Sequence, residues 1–477
     1  MSNLQLSKYL HIIKRDNDYA LYHSLFGGLC LVSPNGIAFL ERFKSPESSE
    51  DLSCFNRPEV NAFLEDLRQR FFLVPEGFDE YTLVDENIRE RKEHLKEGYL
   101  LKGLQLVLTN VCNFKCKYCF VDSMYNSKER SELQVKQSNK TMSPDVAKLS
   151  VEKLIDVLKR NNNNSLSIEF FGGEPLLNWP VIEEVLNTFK NGKMGETQIY
   201  YSITTNGSLI NDKMAELFKK YEVTVTISFD SPKNTERVLA NGENSLELIE
   251  KSLQILKAHG NYVTFNSVIS EETLDHFDGI SLVDFAKQYN VAMIGLILAL
   301  DLDFCQNRSN RDRVIETIMQ TYKYSKSQGI PIVGYWYQIF SQIIGQQALT
   351  YFSGYKTCPA TGCKLSIEPE GHIFSCKCCS RYLGHISNLE EVLSSENYAE
   401  YALRAYRNAP ECEGCEIEGF CAGVCMGTLE NKYRNLHVIE ESSCEVFKML
   451  TKQLIMELND EVVTLDVPPT IAMNLPQ

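Results

Sequence analysis

The chain has 477 residues, room for roughly three domains at about 150 residues each. Hydrophobic residues at 43% and charged residues at 23% are the balance of a globular protein with a large core. Subtracting 63 acidic from 48 basic residues gives −15, which argues against a broad nucleic-acid surface.

In chain order, residues 1–13 mix Ser, Asn, Gln, Lys and His with few apolar residues, so no secretory signal is read there. Residues 18–25 and 29–32 read as two short strands with Gly27 and Gly28 as the turn. Helical patterns at 36–43 and 60–70 and a strand at 71–74 complete a small winged-helix-like α+β unit over 1–85. A charged helix within 86–103 links it to the next region. Over 104–300 strands and helices alternate. Strands are predicted at 104–108, 166–171, 198–204, 223–229, 262–269 and 291–300, with helices near 143–160, 180–191, 211–221, 245–259 and 281–289. Six strand–crossover units imply an α/β parallel sheet closed as a partial (β/α)6 barrel, with ligands gathered at the carboxyl ends of the strands. The longest apolar run, 291–300, is about half a membrane span, so no membrane association is expected. Residues 122–142 form a long polar insertion. A helical bridge is expected over 301–357, a cysteine-rich domain over 358–446, and a helix and tail over 447–477.

The 16 cysteines cluster, three within 112–119 and ten within 358–444. With no export signal a cytoplasmic location is expected, and a cysteine-rich cytoplasmic chain points to metal binding ahead of disulfides. Cys112-x3-Cys116-x2-Cys119 follows the first barrel strand and can hold three corners of a cubane iron–sulfur cluster, leaving one iron open. No fourth ligand stands nearby in sequence to complete a zinc site. At the ends of the second, third and fourth strands stand Gly172, Gly173 and Glu174, then Asn206, then Ser228 and Asp230. Glycines admit close approach of a ligand, and the carboxylate can take an ammonium group.

In that order and spacing these residues resemble the radical S-adenosylmethionine (SAM) superfamily over about 105–300. The resemblance implies that Cys112, Cys116 and Cys119 ligate a [4Fe–4S] cluster whose open iron is chelated by SAM. It places Tyr118 near the adenine, Gly172, Gly173 and Glu174 on the methionine amino group, and Ser228, Asp230 and, more weakly matched, Asn206 toward the ribose. The implied chemistry is reductive cleavage of SAM to a 5′-deoxyadenosyl radical that abstracts a substrate hydrogen.

Downstream, Cys412-x2-Cys415-x5-Cys421-x3-Cys425 precedes Cys444, and Cys358, Cys363, Gly371 and Cys376 lie upstream. Eight thiols suffice for two fully ligated four-iron clusters; a pair of zinc sites is the competing reading. The spacing resembles the SPASM domain of peptide-modifying radical SAM enzymes. That resemblance puts Cys358, Cys363, Cys376 and Cys425 on one auxiliary cluster and Cys412, Cys415, Cys421 and Cys444 on the other, three [4Fe–4S] clusters in all. Cys30, Cys54, Cys305, Cys378 and Cys379 remain, and Cys378 and Cys379 compete with the assigned ligands.

Residues 15–75 also resemble PqqD-like leader-recognition modules, which implies a precursor peptide whose leader adds as a strand to an exposed sheet edge. The expected function is a radical SAM/SPASM maturase that closes a thioether or carbon–carbon cross-link in a ribosomal peptide, served by a donor such as flavodoxin or ferredoxin. Thioether formation is the favoured outcome, and no general base is identified. A sulfatase-maturation-type enzyme making formylglycine is the alternative; there an Asp follows the cysteine matching Cys376, and here Lys377 stands in its place. A radical SAM enzyme acting on a non-peptide substrate is the other.

Overall fold

The computed structural model describes residues 4–44, 58–121, 140–190, 197–233, 236–299, 301–345, 358–404, 410–458, 462 and 464–465. Most of the polar insertion and Cys54 lie outside them.

The opening unit has more strands than its sequence pattern announces. Strands β1 (Leu4–Leu6), β2 (Leu10–Lys14), β3 (Tyr19–His23) and β4 (Gly27–Val32) precede the helices Pro34–Leu40 and Pro58–Gln69, and β5 (Leu73–Pro75) returns to pair with β1. Pro34 opens its helix and Ser33 caps it, its hydroxyl accepting from Gly36 N. Leu21, Cys30 and Val32 from the strands meet Phe39, Phe43, Val60, Phe63 and Leu67 from the helices in a dry core. Gly27 and Gly28, expected as the turn, instead open β4, where Gly28 N donates to Gly345 O at 3.0 Å. The chain turns one step earlier, at residues 24–26.

Beyond this unit, helical crossovers join β6 (Gly103–Val107), β7 (Ser165–Phe171), β8 (Gln198–Thr205), β9 (Thr224–Ser228), β10 (Val263–Ile269) and β11 (Met293–Leu298). All six predicted strands are present and run parallel, in sequence order across the sheet. The helix Pro144–Arg160 shows why such crossovers form. Ser143 caps it, Pro144 starts it, Asp145 sits in its first turn and Lys159 and Arg160 in its last. Its Val151, Leu154, Ile155 and Leu158 are buried. On β7, Leu166, Ile168 and Phe170 are fully buried while Ser167 and Glu169 alternate with them toward the lumen, the period-two signature of a strand with two unlike faces.

The sheet does not stop where the sequence divides the domains. β12 (Ile332–Val333), from the expected helical bridge, adds in parallel beyond β11. β13 (Lys364–Ile367), from the cysteine-rich region, adds in parallel to β6, and β14 (His372–Phe374) and β15 (Gly384–His385) continue antiparallel, giving ten strands. One sheet therefore carries both the first cysteine loop and the hairpin between Cys363 and Cys376 of the second field. The helix Glu441–Met456 begins earlier than expected and holds Cys444 in its first turn.

Finally, β16 (Thr464–Leu465) pairs in parallel with β4, so β2 and β16 are the two borders of the four-stranded sheet β16–β4–β3–β2. The β4 edge is covered, and among the described residues the edge of the original meander left without a partner strand is that of β2. No helix among the described residues is long and apolar enough to cross a membrane.

Candidate active site at the strand ends

Two loops are laced together at the carboxyl ends of β6 and β7. Gly173 N donates to Thr109 O and Glu174 N to Val111 O, both at 2.8 Å. A Cβ at Gly172, whose φ is +153°, would lie 2.4 Å from Thr109 O, and one at Gly173 would lie 2.4 Å from Val111 O. The glycines are thus needed for the loop's approach to the cysteine segment itself.

That segment is also pinned from the other side. Lys115 N donates to Val238 O and Ala240 N to Asn113 O, each at 2.9 Å, and Phe114 pairs with Leu239. Between these supports Cys112, Cys116 and Cys119 are half-buried and share one electrostatic neighbourhood. Phe114 N reaches Cys112 Sγ at 3.4 Å and Asn206 Nδ2 lies 3.9 Å from it. Burial pushes the Cys112 thiol up to about 12 and the Cys116 thiol up to about 11. These sulfurs become thiolates readily only against a bound cation.

Glu174 is fully buried, and Thr205 Oγ1, Asn206 N and Leu176 N donate to its carboxylate at 2.6, 2.8 and 3.0 Å. Burial still wins over these bonds and raises its pKa to about 7. Between its ordinary value near 4.5 and that point, the folded chain keeps a proton that the unfolded chain has released. Stability of the SAM-free protein should therefore fall as pH rises through this window. Urea midpoints of the wild type minus those of Glu174→Gln isolate the slope, and a flat difference refutes it.

Tyr118 and Asp230 come together at the far rim. The Tyr118 hydroxyl donates to Asp230 Oδ2, and Val268 N to Oδ1 at 2.8 Å. Arg237 grips the same carboxylate through Nε at 2.9 Å and Nη2 at 3.2 Å, its guanidinium 5.2 Å from the Tyr118 ring centre. Sequence reasoning missed Arg237. The usable signal was Asp230 itself, since a carboxylate only 2% exposed calls for a cation close by. Ser228 ends β9, half-buried and in register with Asn266. Asn206 bonds Asn113 Oδ1 at 2.8 Å.

The lumen below holds a second unforeseen group. Glu169 on β7 accepts from Lys364 Nζ on β13 at 3.0 Å and from Gln105 Nε2 on β6 at 2.7 Å, while Ser366 Oγ donates to Gln105 Oε1 at 3.1 Å. Burial alone would raise the Glu169 carboxyl, but Lys364 and then Lys377 overcome it and hold the pKa at about 2. The Lys377 ammonium stands 3.4 Å from the Phe171 ring centre and 5.4 Å from that of Phe120, the residue after Cys119. Lys364→Met should destabilise the fold by about 3 kcal/mol by stranding the carboxylate. Adding Glu169→Gln should recover most of the loss in denaturant titrations, and no recovery would refute the coupling.

In the second cysteine field, Cys412, Cys415, Cys421 and Cys444 line one cavity with Arg404, Gly423 and Ser443. Arg404 Nη1 and Ser443 Oγ are buried there without a hydrogen-bond partner among the described residues. Buried donors of this kind fit a bound group rich in acceptors, as the sulfurs of a cluster are. Among the described residues no three thiols fall within 4.8 Å of one another, wider than the ~3.8 Å sulfur spacing of a tetrahedral zinc site. Cys358, Cys376 and Cys425 form the other group, each acting electrostatically on its neighbours. Cys363, the fourth cysteine expected with them, has Arg91 and Lys102 as its charged neighbours. Cys30 and Cys305 are buried in apolar core.

Comparison with known proteins agrees with this geometry. The Radical SAM superfamily profile matches residues 106–283. The radical SAM cyclopropyl synthase TigE of Paramaledivibacter caminithermalis is 41% identical over 457 residues, 95% of this chain and 96% of that protein. The fold is shared with native anSMEcpe with bound AdoMet, at a TM-score of 0.59 and 20% identity over 74% of this chain and 96% of that one. It is also shared with Streptococcus suis SuiB bound to the precursor peptide SuiA, at a TM-score of 0.51 and 17% identity over 93% and 100%. The structure and this sustained identity lead to one conclusion: the chain belongs to the radical SAM superfamily, enzymes built on S-adenosylmethionine and a [4Fe–4S] cluster.

Proposed function

We propose that the chain is a peptide maturase that closes a carbon–carbon ring of the cyclopropane type in a precursor peptide. The carrying observation is identity of 41% to a named cyclopropyl synthase along 95% of the chain, which spans the barrel, the second cysteine field and the opening unit alike. A fold shared with SuiB, whose structure holds a precursor peptide, supports a peptide substrate. Within the cross-linking class this moves the favoured outcome from a thioether to a carbon–carbon bond.

Cys112, Cys116 and Cys119 would hold the SAM-binding cluster, with Gly172, Gly173 and Glu174 on the methionine amino group and Tyr118, Asn206, Ser228 and Asp230 around the nucleoside. When bound, cluster and SAM supply a 5′-deoxyadenosyl radical that takes one hydrogen atom from a substrate carbon. The chain's own part is positioning and shielding. Arg237 fixes Asp230 and Tyr118 as one rigid rim. Phe171, Phe120 and Lys377 wall the mouth between the barrel and the cysteine-rich region. Lys377 also weighs against formylglycine formation, because an ammonium stands where the sulfatase-type pattern has a carboxylate. Cys412, Cys415, Cys421 and Cys444 would hold an auxiliary cluster, with Arg404 and Ser443 donating to it. A precursor leader would add at β2, the meander edge that β16 leaves open.

Ring closure removes two hydrogens and keeps every sulfur. Anaerobic incubation of the reconstituted enzyme with the peptide encoded beside its gene should give a product lighter by about 2 Da, with all peptide thiols still open to alkylation. Loss of a thiol without loss of sulfur would establish the thioether instead, and loss of sulfur, or a product aldehyde trapped by hydroxylamine, would establish formylglycine.

A further inference from the structure

The β13–β14 hairpin lies between the cysteines of the 358–379 segment, none of which is in a strand. In the antiparallel β13–β14 pair, Ser366 opposes Phe374 and Ile367 opposes Ile373. Lys364 opens β13 two residues before the paired Ser366, and Cys376 follows β14 by two residues. Lys364 reaches into the lumen to Glu169, and Cys376 lies in the field of the same ammonium. Cys363, the residue before Lys364, lies in the turn that leads into β13.

Cys363 is 5% exposed, and Tyr99 and Tyr398 feel its thiol along with Arg91 and Lys102. Its backbone is held there: Lys102 N and Gly103 N donate to Cys363 O at 2.9 and 3.0 Å, and Tyr398 hydroxyl donates to Gly362 O at 3.1 Å.

Cys378 sits on the other side of the hairpin, inside the turn that Cys379 N closes on Cys376 O at 3.0 Å. Cys376 and Cys425 both act on its thiol. Cys425 caps the helix Met426–Tyr433, and Gly427 in that helix's first turn lies under Cys378. A Cβ at Gly427 would stand 2.0 Å from Cys378 O and 2.9 Å from Cys378 Cβ. Gly427 therefore lets the 376–379 turn close directly over the helix start that carries Cys425. Cys379, the next residue, packs into the apolar core, where Cys376, Glu430, Cys425 and Cys358 all act on its thiol.

We propose that Cys378 completes the ligand set of Cys358, Cys376 and Cys425, and that Cys363 is a core cysteine with no metal. The inference rests on the auxiliary-cluster reading above. Ligation would release the Cys378 proton to solvent as its thiolate binds iron.

The test is anaerobic reconstitution of the full chain and its variants, with iron and sulfide counted and the reduced clusters recorded by electron paramagnetic resonance. The wild type should hold about 12 iron. Cys378→Ala should fall to about 8, or keep the iron with an altered auxiliary signal. Cys363→Ala and Cys363→Val, two apolar replacements that guard against a packing artefact, should match the wild type in both readouts. Wild-type behaviour of Cys378→Ala, or cluster loss in well-folded Cys363 variants, overturns the ligand assignment. A wild type that plateaus near 4 iron overturns the auxiliary-cluster reading itself.

Discussion

Replacing Cys112, Cys116 and Cys119 together by Ala should reduce 5′-deoxyadenosine formation to background, a loss of several orders of magnitude. The three thiols are half-buried on one loop, braced by residues 236–240 on one side and by the glycine loop on the other. No further cysteine of the chain belongs to that loop. The braces are backbone hydrogen bonds that do not depend on the thiols, so the variant should keep its fold. Near-wild-type circular dichroism with no SAM cleavage under dithionite is the expected pair of results. Persisting cleavage would overturn the assignment of these residues. Because the second cysteine field stays intact, the variant should also retain about 8 iron, which separates loss of one site from general failure to load.

Gly173→Ala should come close in severity, by a different route. The added methyl carbon would stand 2.4 Å from Val111 O, and a neighbouring Ala at Gly172 would meet Thr109 O at the same distance. Backbone on both sides is already committed to the bonds Gly173 N–Thr109 O and Glu174 N–Val111 O, so relief requires breaking the lacing of the loops. Overpacking of a tight site costs about 1–3 kcal/mol. The larger consequence is geometric: displacement of Glu174 and the cysteine loop by even 1 Å lowers rate by about a hundredfold. A drop in SAM affinity by titration calorimetry with cysteine-loop iron retained would fit this account. Unchanged affinity would refute it.

Much of this arrangement was legible before any coordinates. The six barrel strands lie within a residue or two of their predicted ends because each is a compact apolar run bounded by an amphipathic helix. The strand-end motifs stood out because chemistry gathers where parallel strands finish. What escaped prediction depends on pairing across long stretches of chain. β12 and β13 have two and four residues, too few for a pattern, and only the waiting edges of β11 and β6 make them strands. Arg237 and Lys364 gain meaning from carboxylates 7 and 195 residues away. Cys363 and Cys378 are both available as ligands in the sequence, because spacing fixes order along the chain and leaves the surroundings of each thiol open.

The pairing of β16 with β4 joins residues 464–465 to residues 31–32. During synthesis the meander leaves the ribosome first, while its neighbour strand is more than four hundred codons away. For that whole interval the nascent chain displays an open β4 border, a natural perch for a chaperone and a liability for mispairing. The opening unit is thus made long before the strand that completes its sheet.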